Sequence, residues 1–251
     1  MISPMRQTTS TTHISIGDIT AELTFKNIKH LHLRVQPPHG TVRISAPTHM
    51  GLDRVREFAV EKLDWIKRQQ IKLQSQPRLA PREYVDHEPH FLWGQRYLLN
   101  VTEHSGPASI ALNHDHILLS IRPGTGRDKR EALVSAWYRE QLRTAAMPLI
   151  AKWEPLIGRQ ITRLYVQQMK TRWGSCNPRR RSIRLNSELA RKPRQCLEYV
   201  VVHELVHLIE PSHNKVFKRH MDDLMPQWRL FRAELNRLPI GYTDPTYQDF
   251  I

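Results

Sequence analysis

The stretch Tyr199-Val-Val-Val-His203-Glu204-Leu-Val-His207-Leu-Ile-Glu210-Pro211-Ser-His213 decides how the rest of this 251-residue chain reads. His203 and His207 stand four apart, so on a helix they lie one turn from each other and about 40° apart around the axis. Two imidazoles so arranged reach one ion at the roughly 2.0–2.1 Å that zinc requires. Glu204 lies about 100° from His203 and about 60° from His207. It flanks such an ion without ligating it, where a general base for an activated water belongs. In an unbroken helix His213 would point about 240° away from His207. Pro211 forbids that continuation, because it lacks an N–H, clashes with the His207 carbonyl and drives Glu210 out of the α region. The helix is expected to stop near Ile209 or Glu210, letting the chain turn back and present His213 from a second direction. Three protein nitrogens with one position left for water is the form of a catalytic zinc site, here one Zn2+ per chain. Val200, Val201, Val202, Leu205, Val206 and Leu208 suit a helix buried on most faces, where unpaired polar groups would be costly.

Upstream of this helix, residues 161–169 read as a strand and residues 170–186 as a hairpin. Its arms are Lys170-Thr-Arg172-Trp-Gly-Ser-Cys176 and Ser182–Asn186, with Asn177-Pro-Arg-Arg-Arg181 as the turn. Pro193 is well suited to the first position of the histidine helix. Downstream, Ser212 or Asn214 can cap a helix carrying Val216, Phe217, Met221 and Leu224, and Pro226 opens a last one through Trp228, Leu230, Phe231, Leu235 and Leu238. From Asp128 a long helical pattern runs through Leu133, Ala136, Trp137, Leu142 and Ala145; Pro148 and Pro155 are expected to kink or end it. Nearer the amino terminus, residues 21–46 alternate in short apolar runs around a turn at Pro37-Pro-His-Gly40, which predicts an antiparallel meander. Leu52, Val55, Phe58, Ala59, Leu63, Ile66 and Leu73 then mark an amphipathic helix for that sheet. Residues 74–82, with two prolines, read as a linker. Two further strand regions follow, 91–102 broken at Gly94 and 110–121 turning at Asn113-His-Asp-His116. Pro123-Gly-Thr-Gly126 has no lysine at the spacing of a phosphate loop, and no internal repeat is visible. The fold class is therefore α+β, in three regions: 14–76, a meander and helix; 83–126, a hairpin region; and 127–240, the domain holding the histidines.

A net charge of +14 suits an acidic partner such as nucleic acid or a nucleotide. No apolar run approaches the ~18 residues of a membrane span. The opening Met-Ile-Ser-Pro-Met-Arg-Gln-Thr-Thr-Ser has no signal-peptide core and reads as a Ser/Thr-rich leader. Two cysteines, Cys176 and Cys196, make no disulfide framework. Cytoplasmic residence is the expectation; oligomeric state is not legible.

Four segments, Met169-Lys-Thr-Arg-Trp-Gly-Ser-Cys176, Ile183-Arg-Leu-Asn186, the run from Tyr199 to His207, and His213-Asn-Lys-Val-Phe217, together resemble the YgjP-like metallopeptidase domain family, which is related to the SprT and WLM zinc peptidases. The close resemblance spans about residues 128–238, and the pattern ending in Leu63-Asp-Trp-Ile66 resembles the same family's front half. It implies His203, His207 and His213 as zinc ligands, Glu204 as catalytic base, and a zincin-like arrangement with the active helix beneath a short sheet. The spacing to the third histidine is also that of metzincins, but Glu210 stands where those carry glycine, and neither Met221 nor Met225 is assignable to a methionine turn.

The functional expectation is a zinc-dependent hydrolase, foremost a metallopeptidase acting on peptide or protein. Strand Ser182–Asn186 is a candidate sheet edge for an extended substrate. Arg172 and Arg184 are candidates for oxyanion stabilisation, and Asn186 and Glu198 for holding the ligands from behind. Cys176 reads as a packed thiol, since a fourth protein ligand would close the water position. One alternative is a metal-dependent nucleoside triphosphate pyrophosphohydrolase or phosphohydrolase, favoured by the positive charge; a three-histidine set, unlike the carboxylates that hold Mg2+, speaks against it. The other is a nucleic-acid-associated zinc protein acting on DNA-bound proteins, with Arg179 to Arg181, Arg184, Arg191, Lys192 and Arg194 touching phosphates.

Overall fold

Alternation of buried and exposed side chains builds the first sheet from β1 (Thr11–Ile16), β2 (Ile19–Lys26), β3 (His32–Gln36) and β4 (Thr41–Pro47). In a computed structural model of the chain, the described residues are 11–36, 40–75, 82–169 and 172–237. They form a mixed α+β structure of three small sheets and six α-helices, in two compact units covering residues 11–75 and 82–237. The expected leader, the turn at Pro37-Pro-His39, most of the expected linker, Lys170, Thr171 and Leu238 lie outside the described residues.

The first sheet has the order β1-β2-β4-β3, with β2 and β4 parallel. The predicted antiparallel meander is therefore wrong in its strand order. Alternation specifies the face each strand buries but not its neighbour. The central place goes to β4, whose Val42, Ile44 and Ala46 are almost wholly buried opposite Ala21, Leu23 and Phe25. Strand β1 was missed because only Ile14 and Ile16 point inward from a Thr-rich segment. The single helix expected next is two, α1 (Leu52–Glu61) and α2 (Leu63–Ser75). Between them Lys62 sits near φ −95°, ψ 4°, its N–H bonding Ala59 O at 3.2 Å. Val55, Ala59 and Ile66 all join the sheet's core.

The second unit begins with β5 (Pro89–Leu92), β6 (Gln95–Glu103), β7 (Ser109–Asn113) and β8 (His116–Ile121), in the order β5-β6-β8-β7. Again the inner pair is parallel and both outer pairs are antiparallel. The chain thus repeats one sheet plan, each time followed by helix, although no sequence repeat announces it. Period-two burial is all the plan demands of its strands, and many sequences meet it.

Helix α3 (Arg127–Ile157) buries Val134, Tyr138, Leu142, Ala146, Ile150 and Trp153 along one stripe. It runs through Pro148 and Pro155 instead of ending there. Each proline removes one N–H, freeing the carbonyls of Thr144 and Ala151. Both prolines and both of those residues are exposed, so water can take over the lost bonds. The helix stops at Gly158, left-handed at φ +70°, whose N–H bonds Glu154 O at 2.9 Å.

Strands β9 (Arg163–Gln167), β10 (Gly174–Asn177) and β11 (Ser182–Asn186) form the third sheet in the order β10-β11-β9. β11 is its central strand, paired antiparallel to β10 and parallel to β9. That overturns the expectation that Ser182–Asn186 offers an open edge, because its backbone groups are used on both sides; among the described residues β10 is an edge. A 3-10 turn, Ser187–Arg191, leads to α4 (Arg194–Val206), α5 (Lys215–Leu224) and α6 (Trp228–Arg237). Pro193 is the residue just before α4 and not its first. Helix α4 packs on β10, β11, α3, α5 and α6. No described helix is long and apolar enough to cross a membrane.

Candidate metal centre

Every residue of α4 from Tyr199 to Val206 is buried, as its apolar run requires. The helix ends three residues earlier than expected, with His207 as its cap. Leu208 and Ile209 N–H groups bond back to Leu205 and Val206 carbonyls at 3.0 Å, tightening the exit into 3-10 turns. Past Pro211, the Glu210 carboxylate accepts from Ser212 N–H at 2.9 Å, and Asn214 Oδ1 caps α5 by accepting from Val216 and Phe217 N–H at 2.9 and 3.1 Å. These bonds fold His213 back against α4.

The three imidazoles converge. His213 Nε2 lies 2.9 Å from His203 Nε2 and 3.1 Å from His207 Nε2. Ligand atoms held about 2.0–2.1 Å from a tetrahedral zinc are about 3.3 Å apart, so this donor set fits such an ion after a small outward movement. His207 Nδ1 is 3.0 Å from the Glu210 carbonyl, which takes a proton on that nitrogen and leaves Nε2 with its lone pair. His203 is buried, His207 half-buried and His213 exposed, so the cluster opens to solvent on one side. Burial holds all three imidazoles below the ordinary histidine pKa, reinforced at His203 and His213 by neighbouring imidazoles and Arg232; His213 falls to about 4. Neutral imidazoles with free lone pairs are what a divalent cation needs. The Phe217 ring packs on all three, with centroids 4.7–4.9 Å away.

Glu204 is 5% exposed, and its Oε2 has no hydrogen-bond partner. Burial lifts its pKa to about 8, and the Arg172 guanidinium opposes that rise. Gly174 on β10 presses against it: a Cβ built there would fall 2.4 Å from Glu204 Oε1. Cys176, two residues along the same strand, is a free, half-buried thiol raised to about 12 by burial and by the charge of Glu204.

The remaining candidates are dispersed. Arg184 is exposed, stacked over Tyr165 at 5.4 Å on the face of β11 opposite the buried Ile183 and Leu185. Asn186 is 2% exposed and braces the strand approach, donating to Met169 and Arg172 carbonyls at 3.0 and 2.8 Å and accepting from Glu188 N–H at 3.2 Å. Glu198 Oε1 accepts from Lys152 Nζ at 2.7 Å and Trp153 Nε1 at 2.9 Å, a tie between α4 and α3 away from the imidazoles. Sequence reasoning overlooked Gly174, Phe217 and Arg232 as neighbours of the site. Only Phe217, four residues after His213 and apolar in the first turn of α5, left a readable signal.

The family model described as YgjP-like, metallopeptidase domain, matches residues 29–238. No curated protein matches the chain. Among solved structures, the chain is similar to the metallopeptidase zymogen abylysin of Pyrococcus abyssi, with 17% identity and a TM-score of 0.34 over 36% of this chain and 90% of that one. It is also similar to the metallopeptidase zymogen jannalysin of Methanocaldococcus jannaschii, with 16% identity and a TM-score of 0.32 over 36% of this chain and 92% of that one.

Proposed function

The chain belongs to the YgjP-like metallopeptidase domain family, and on that premise we propose that it is a zinc-dependent peptidase using His203, His207 and His213 as ligands to one ion and Glu204 as general base. The observation that carries this reading is the convergence of three neutral imidazole nitrogens beside a buried carboxyl group. Packing of α4 against β10 and β11 supports a zincin-like arrangement. Zinc bound there would supply Lewis acidity, polarising a carbonyl and acidifying water. Glu204 accepts the proton released by the attacking water and returns it to the departing amine nitrogen. Burial and Gly174 keep the carboxylate in one position, and the Arg172 guanidinium favours its ionised form against the effect of burial. An extended peptide would lie along the edge of β10, adding a strand beside Glu204.

The test compares zinc-loaded protein with Glu204→Gln on an unfolded protein and on nucleoside triphosphates. Wild type should cleave peptide bonds with one zinc per chain. The variant should keep its zinc and lose at least about 10²-fold in rate. Nucleotide turnover abolished by the substitution, with no peptide cleavage by either protein, would replace this reading with phosphoanhydride hydrolysis.

A further inference from the structure

A cavity of about 240 Å³ lies in the same unit as the histidine cluster and is lined by neither the three histidines nor Glu204. It lies between the Arg82–Tyr84 segment, the first half of α3, Gln168 and the 3-10 turn Ser187–Arg191. Four guanidinium groups, from Arg82, Arg127, Arg139 and Arg191, face it with only two carboxylates, Glu131 and Glu188. Arg127 Nη1 is held by Glu131 at 3.0 Å, and Arg191 Nε by Glu188 at 3.2 Å. Among the described residues, Arg82 and Arg139 have no carboxylate within ion-pair distance. Among the lining residues the guanidinium groups outnumber the carboxylates by two, and Arg127 also meets Asp128 at 3.2 Å and Glu83 at 3.6 Å outside the lining. The positive charge without an ion-pair partner among the described residues is therefore that of Arg82 and Arg139, in a concave, partly desolvated space where attraction for an anion is stronger than on the surface.

Arg191 is the built element. Its side chain is 8% exposed, stacked 3.7 Å from the Tyr138 ring centroid, and Tyr138 is itself fixed by donating to Phe91 O at 2.8 Å. Yet its Nη1 is buried without a hydrogen-bond partner, as is the Oε2 of Glu188 beside it, so the ion pair between them leaves a donor on Arg191 unused. A buried guanidinium nitrogen left without an acceptor is costly, and a ligand oxygen would relieve that cost. Ser135, Gln168 and Ser187 add neutral polar groups to the wall.

We infer that this cavity binds a phosphate group, either inorganic phosphate or the end of a small phosphomonoester, at a site separate from the metal centre. A phosphate carries close to two negative charges near neutral pH and three acceptor oxygens, matching the excess charge and the arginine donors. The volume leaves room for a small organic remainder beside the phosphate. His90, behind Tyr138, registers the same positive field: burial and the charges of Arg191 and Arg82 hold it down to about 3.

Calorimetric titration of the zinc-loaded chain at constant ionic strength, with inorganic phosphate, glycerol phosphate and acetate, tests this. Both phosphates should bind one per chain and acetate should not. Tighter binding of glycerol phosphate identifies a phosphomonoester as the occupant, and equal binding identifies free phosphate. Arg139→Ala, at a half-buried position on α3, should weaken binding at least about tenfold. Arg143→Ala on the same helix outside the cavity, and His213→Ala in the metal centre, should leave the Kd unchanged. No saturable phosphate binding, equal affinity for acetate, an unchanged Kd in Arg139→Ala, or loss of binding in His213→Ala would each overturn the inference.

Discussion

Replacing Gly174 with alanine tests whether β10 sets the position of Glu204. The added Cβ would fall 2.4 Å from Glu204 Oε1 and 2.8 Å from both its Cδ and Cγ. Relaxed contacts begin at about 3.5 Å, so the carboxylate must retreat by about 1 Å. Glu204 is 5% exposed on a helix packed from several sides, which leaves that movement few directions. Overpacking of this kind costs about 1–3 kcal/mol of stability, and a 1 Å misplacement of a catalytic group costs about 10²-fold in rate, or roughly 2.7 kcal/mol. Gly174→Ala should therefore lose about two orders of magnitude in peptide hydrolysis while holding zinc as wild type does, since the three atoms nearest the methyl all belong to Glu204. Urea denaturation supplies a readout that needs no substrate. The methyl should destabilise the wild-type background and cost far less in a Glu204→Ala background, where space has been made for it. Equal destabilisation in both backgrounds, or wild-type rates in Gly174→Ala, would refute the positioning argument.

If zinc binds as proposed, it should raise the thermal midpoint of the wild-type chain and a chelator should lower it, because an ion held by the folded triad would not be held by the separated histidines; His203→Ala should not respond to either in a thermal-shift assay. Asn214→Ala removes the cap of α5 and should cost about 1 kcal/mol in denaturant melts. It should also weaken zinc in a chelator competition, because His213 immediately precedes that cap. His90, fully buried and held at about 3, stays neutral in the folded chain while the unfolded chain takes up a proton below the usual 6.5. Stability should then fall as pH drops from about 6.5 towards 3, and be unaffected by this group above 6.5. His90→Phe should lose up to about 2 kcal/mol less than wild type between pH 7.5 and 5. An unchanged acid limb would mean that Glu88 Oε1, 3.0 Å from His90 Nε2, supports the protonated ring instead.

Local chain geometry made the clustering of the three histidines legible. The four-residue spacing of His203 and His207 is a helical property, and Pro211 acts on the four residues before it, so the return of His213 could be argued without knowing any distant contact. The hairpin before α4 and the Asn214 cap were readable for the same reason. The sheet orders were not, because alternation tells each strand which side to bury and leaves its partner open; β11 became the centre of its sheet and lost the edge expected of it. Pro148 and Pro155 do not end α3: Thr144 and Ala151, whose carbonyls they free, are exposed and can be hydrated, and that exposure is a tertiary fact. The approach of Gly174 to Glu204 links residues 30 positions apart, and the arginine cavity gathers side chains from Arg82 to Arg191. Sequence alone determined which residues could hold a metal; tertiary packing decided which backbone presses on Glu204 and which arginines gather around the cavity, because both depend on distances between segments that no local rule constrains.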